Sequence, residues 1–178
     1  SRYYLSPDDP AARFYSLLAN NGQLVRPYLV EAAQEGGGNP HSPPRIVKTF
    51  TPMAPQSVGL DPTYLSAVQD GLWQATHGAL GTATGVFGNF PIPIAGKTGT
   101  AQKRPSSSQY DQSWWCGYGP YGETQPPQLV VCALIENGGF GADAAAPAAL
   151  KVFQQYFKQR LAPSTPGITT TTSTGTTR

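Results

Sequence analysis

The sequence predicts a mixed α/β chain of the α+β kind, an antiparallel sheet covered by helices. Composition points that way first: 20 Gly and 18 Pro with only 12% charged residues suit a loop-rich, strand-containing domain better than a helical bundle. Next, three strand-like segments, the last with a β-rich Leu129-Val130-Val131-Cys132 core, follow one another late in the chain across short connections, the pattern of an antiparallel meander. Finally, amphipathic helical stretches precede and follow those strands, and 39% hydrophobic residues are enough to fill the core between the layers.

In chain order, residues 10–20 carry Phe14, Leu17 and Leu18 at helical spacing and stop at Asn20-Asn21-Gly22, a left-handed terminator. Residues 23–31 read as extended, because Arg26-Pro27 disfavours helix, and the Gly/Pro density of 36–44 reads as a mobile loop. Asp61-Pro62 is an N-cap followed by proline in the first turn, opening a helix with a Leu65, Val68, Leu72 stripe that runs to about Gly78. Residues 78–85 are too small and polar for a core element and predict a close-packed turn or short helix. Strands are expected over 91–103, 113–118 and 128–136. Pro147 then opens a helix in which Ala149, Val152, Phe153, Tyr156 and Phe157 recur at helical spacing and should lie across the sheet. Residues 1–162 form the domain, and 163–178, rich in Thr, Ser and Gly, have nothing to bury and read as a disordered tail.

Several function classes drop out. A net charge of +2 with scattered Lys and Arg does not make a nucleic-acid surface. No apolar run reaches the ~20 residues needed to span a bilayer. With only His41, in a loop, and His77, at a helix end where it caps or faces solvent, neither a histidine-based metal centre nor a catalytic histidine is expected, and no cofactor is. The start, Ser1-Arg2-Tyr3-Tyr4-Leu5, has neither an initiator Met nor a signal core, so the expectation is that a preceding segment has been removed.

Chemistry concentrates at Ile94-Ala95-Gly96-Lys97-Thr98-Gly99-Thr100-Ala101-Gln102. One ammonium between glycines, followed by two hydroxyls, suits a carboxylate: the charge attracts it and the hydroxyls aim hydrogen bonds at it. Gly99 would let a substrate backbone come close. Strand alternation puts Thr98 and Thr100 on one face and Lys97 on the other, so all three serve one ligand only at a sheet edge that the long Lys side chain can reach around. The spacing of Thr100 and Lys103 imitates a nucleophile and base, but positions three apart on a strand face opposite sides.

Lys-Thr-Gly is a known signature of penicillin-binding proteins and serine β-lactamases. The flanking words Leu18-Ala19-Asn20-Asn21-Gly22, Gly81-Thr82-Ala83, Trp114-Trp115-Cys116-Gly117-Tyr118-Gly119-Pro120 and Glu136-Asn137-Gly138 stand in order around it. Together they resemble the C-terminal half of the transpeptidase domain of a class B penicillin-binding protein, over roughly residues 8–162. The resemblance implies a penicillin-binding-protein/serine-β-lactamase-like fold and a peptidoglycan D,D-transpeptidase located outside the cytoplasm, with stem peptides and β-lactams as ligands. Lys97 would order the site and draw in the substrate carboxylate; Thr98 and Thr100 would bind it; Gly99 and Gln102 would border it; the Thr100 backbone N–H would be one oxyanion donor. The family's Ser-x-x-Lys and Ser-x-Asn motifs are missing from the sequence, the nearest being Ser42 with Arg45. The expected partner is therefore the N-terminal remainder of the same protein, carrying nucleophile and membrane anchor, and this chain alone is expected to be inactive. The competing readings are a β-lactam sensor or β-lactamase-like domain and a non-catalytic scaffold.

One of Trp114 and Trp115 is expected to fill the core beneath the last helix rather than stack a ligand. A hairpin centred near Thr124 would set Cys116 opposite Cys132, opening the way to a cross-strand disulfide; two reduced core cysteines are the favoured reading, because one slip in register removes the pairing.

Overall fold

The computed structural model describes residues 9–35, 45–102, 111–122 and 124–161. The expected loop at 36–44 and tail at 163–178, together with His41 and Lys103, lie outside them. Helix α1 (Pro10–Ala19) starts where the Asp9 carboxylate accepts from the Ala12 N–H at 2.8 Å, and ends in the left-handed Asn21 and Gly22. Strand β1 (Gln23–Leu24) pairs antiparallel with β4 (Gln56–Ser57), and between them β2 (Ala32–Glu35) pairs with β3 (Arg45–Thr49). Helix α2 (Pro62–His77) opens on Asp61, whose side chain accepts from the Thr63 N–H at 2.8 Å. The short α3 (Thr84–Phe87) leads into a three-stranded antiparallel sheet, β5 (Ala95–Ala101), β6 (Gln112–Gly119) and β7 (Leu129–Ile135), in the order β5-β6-β7. The last helix is α4 (Ala145–Leu161).

Alternation along the sheet separates two cores. On one face Trp115, Phe87, Phe153, Phe157 and Val131 cluster with Ala145, Ala146 and Ala149, whose small side chains let α4 lie close. On the other, Leu18, Ala19, Leu65 and Leu72 of α1 and α2 pack on Ala95 and Tyr118. Of the tryptophan pair, Trp115 is fully buried, stacked on Phe87 at 4.7 Å and edge-on to Phe153 at 5.8 Å, and Trp114 is half-exposed.

The expected helices and meander are present, with corrections. The first strand begins at Ala95, not at residue 91, because Pro91 and Pro93 have no N–H to give a ladder. Helix α4 begins two residues before Pro147, which still falls in the first turn, where its missing N–H costs nothing. Phe14, Val68 and Val152 keep helical spacing yet are 53%, 46% and 49% exposed, since no described element covers those sides. The stretch 23–31 is extended but pairs only at Gln23 and Leu24. His77 stacks on Trp73 at 5.2 Å with its Nδ1 2.9 Å from Thr76 Oγ1, and burial pushes its pKa below the ordinary value.

The cysteines require the clearest revision: they form a disulfide rather than two reduced thiols. The β6–β7 register sets Cys116 directly opposite Cys132, with Cα atoms 4.1 Å apart. Slippage is resisted because a one-residue shift would turn Trp115 and Tyr118 away from their separate cores. Unfolded without reductant, the protein is expected to yield no thiol from either residue to a thiol-reactive dye. Replacing both with serine should lower the unfolding free energy by about 3 kcal/mol, the value for a loop of about 15 residues. Recovery of two thiols per chain would contradict the bridge.

Candidate active site

Strand β5 enters from the core and emerges at the surface. Ala95 and Gly96 are buried, Thr98 and Gly99 half-buried, and Lys97, Thr100 and Ala101 exposed. Its inner edge is paired with β6 in continuous register, Lys97 facing Cys116, Thr98 facing Trp115 and Gly99 facing Trp114. Its outer edge carries no strand among the described residues. The glycines set how closely neighbours approach. A Cβ on Gly96 would lie 2.7 Å from the Cys116 carbonyl oxygen, and one on Gly141, in the turn before α4, would lie 2.8 Å from the Gly99 nitrogen. Only glycine lets the 138–141 turn sit directly against the Gly99 backbone.

Lys97 reaches around the strand edge, as a shared ligand site requires. Its Nζ donates to the Thr98 carbonyl at 2.9 Å, to Thr98 Oγ1 at 3.0 Å and to Thr82 Oγ1 at 3.3 Å, the two hydroxyl oxygens being 2.7 Å apart. An ammonium has three protons, and each has an acceptor here. Beside it opens a cleft of about 500 Å³, lined by Gln74 and Ala75 of α2, by Gly81 and Thr82 of the following turn, and by Lys97. Of the β5 residues only Lys97 lines this cleft, and the strand beyond it, Thr100 and Ala101, is exposed at the surface rather than sealed in the interior. Thr100 stands on the same exposed stretch, opposite Ser113 in register, and Gln102 follows just past the end of β5, exposed.

Thr82 is the site residue that sequence reasoning missed, having served there only as one of three residues in a flanking word. No local signal marks it, because its position comes from tertiary packing. The end of α2 is pinned to the entrance of β5 by Thr76 Oγ1, which donates to the Ile94 carbonyl at 2.6 Å, and this brings the following turn alongside the strand.

The chain is similar to known proteins in both sequence and fold. A family profile described as "Penicillin binding protein transpeptidase domain" matches residues 10–156. The peptidoglycan D,D-transpeptidase MrdA of Haemophilus influenzae is 29% identical over 171 residues, covering 89% of this chain and 25% of that protein. Among solved structures, Pseudomonas aeruginosa PBP2 is 32% identical with a TM-score of 0.58, covering 82% of this chain and 29% of that one. The D,D-transpeptidase domain of a peptidoglycan glycosyltransferase from Eggerthella lenta is 26% identical with a TM-score of 0.65, covering 84% and 31%. The chain thus spans about a quarter of the length of the first curated relative it matches.

Proposed function

The chain belongs to the penicillin-binding protein transpeptidase family, a family of D,D-transpeptidase enzymes, and from that membership we propose that it supplies the substrate-binding half of a peptidoglycan D,D-transpeptidase. The observation that carries the reading is Lys97, exposed beside a cleft at a sheet edge that carries no further strand among the described residues, with its ammonium gathered against the hydroxyls of Thr98 and Thr82. A stem peptide ending in a free carboxylate would lie along β5. Lys97 supplies the attracting charge, Thr98 and Thr100 the hydroxyl donors, and Gly99 and Gln102 border the peptide. The serine, in this reading, comes from the N-terminal remainder of the same protein, which the fourfold greater length of the relatives accommodates. It attacks the penultimate D-Ala carbonyl, the terminal D-Ala leaves, and an amine from a neighbouring stem displaces the serine oxygen. The Thr100 N–H and the serine's own N–H face the oxyanion; one such donor lowers the barrier by about 3 kcal/mol. β-Lactams enter by the same route and remain attached.

In the same reading the membrane anchor belongs to that remainder; no described helix of this chain is long and apolar enough to cross a bilayer. The Cys116–Cys132 disulfide supports an extracytoplasmic location, where such bonds persist. A fluorescent penicillin incubated with this chain alone is expected to leave no covalent label, and label should appear when the N-terminal remainder is joined to it. Label on the isolated chain would show that the nucleophile has been misplaced.

A further inference from the structure

The turn carrying Thr82 is held more firmly than an exposed loop needs to be. The Ala83 N–H donates to the Ala75 carbonyl at 2.9 Å, Thr84 Oγ1 donates to the Gly78 carbonyl at 2.6 Å, and a Cβ on Gly81 would lie 2.7 Å from the Ala75 carbonyl oxygen. The last turn of α2 and residues 78–84 therefore form one rigid unit, presenting an exposed threonine hydroxyl 2.7 Å from Thr98 Oγ1.

Proton counting gives that contact a direction. A hydroxyl has one hydrogen and two lone pairs. Thr98 Oγ1 already accepts from Lys97 at 3.0 Å. If Thr98 donates to Thr82, its only hydrogen is spent and it turns a lone pair toward an incoming carboxylate, which repels it. If Thr82 donates to Thr98, both Thr98 lone pairs are filled and its hydrogen is left to point outward. A carboxylate selects the second arrangement, a chain running from Thr82 through Thr98 to the ligand, strengthened by the ammonium that donates to both hydroxyls.

We propose that Thr82 is a positioning residue for substrate recognition, its hydroxyl fixing the Thr98 hydroxyl as a donor to the carboxylate of the substrate or β-lactam. This rests on the function proposed above and deepens it, since a residue outside the Lys-Thr-Gly strand then shares in reading the carboxylate.

The test uses the complete protein and two acylating agents, benzylpenicillin and its methyl ester, which differ in the carboxylate. The ratio of their acylation rate constants is the readout, because a merely structural lesion slows both alike. Thr82→Val should reduce the preference for the free acid about five- to tenfold, the effect of one hydrogen bond in a charged network. Thr82→Ser should restore it to within about twofold. Should valine disturb the turn, Thr82→Ala carries the same comparison. An unchanged ratio in the Val and Ala variants, or a Ser variant that behaves like Val, would overturn the proposal. Lys97→Ala separates the two levels: if it slows benzylpenicillin while the Thr82 variants keep the ratio, Thr82 alone loses its role; if it changes nothing, the reading of β5 falls with it.

Discussion

Lys97→Ala in the complete protein should lower the rate of covalent labelling by benzylpenicillin on the order of 100-fold, the consequence of removing one partner from a charged, hydrogen-bonded recognition pair. The side chain is exposed, so the loss cannot come from an emptied core, and the melting temperature should stay within about 2 °C of the parent. Three acceptors converge on its Nζ: the Thr98 carbonyl, Thr98 Oγ1 and Thr82 Oγ1. Without the ammonium, two hydroxyls and a carbonyl line the strand edge with no positive charge among them to attract a carboxylate. Lys97→Arg should recover only part of the rate, because a planar guanidinium cannot direct its donors to three oxygens clustered around one point. Stopped-flow acylation beside a thermal melt checks both halves, and labelling at the parental rate in the Ala variant would remove Lys97 from substrate recognition.

The parts of this site written in the sequence are those whose signals are local. The end of α1 is spelled by Asn20-Asn21-Gly22 and the start of α2 by Asp61-Pro62, and both fall where those residues stand. The segment around Lys97 was legible because a known three-residue signature between glycines coincides there with flanking words of the same family; its own composition, with two Gly, two Ala and a Lys, is poor in strand formers. The two small pairings β1–β4 and β2–β3 were not, since strands of two to five residues with mostly exposed side chains have no burial pattern to display. Thr82 and the state of the cysteines were hidden for a different reason. Each depends on register and packing between segments far apart in sequence. The cysteine alignment was foreseeable from a symmetric hairpin, but whether the register would hold depended on Trp115 and Tyr118 anchoring opposite faces. For Thr82 even the neighbouring segment was unknown until α2 was seen to pack on β5 through Thr76 and Ile94.

That dependence makes Trp115→Ala the most damaging single core change to expect. Trp115 is the largest of the fully buried side chains, wedged between Phe87 and Phe153, and it stands opposite Thr98 in the β5–β6 register. Truncating a buried tryptophan costs about 3–5 kcal/mol, and a domain of this size has only about 5–15 kcal/mol in total. The melting temperature should fall by about 6–20 °C. Trp115→Phe should be far milder, costing roughly 1–2 kcal/mol, because it keeps an aromatic ring against both phenylalanines and removes an indole Nε1 that is buried with no hydrogen-bond partner among the described residues. The damage should also reach the site, since β5 is held to the domain along β6 and the Gly96 backbone rests on the Trp115 ring. Penicillin labelling in the Ala variant should therefore be lost at temperatures where the Phe variant is still fully labelled. An Ala variant that melts within about 2 °C of the parent would mean that this ring does not hold α4 to the sheet, and the coupling from core to Lys97 would go with it.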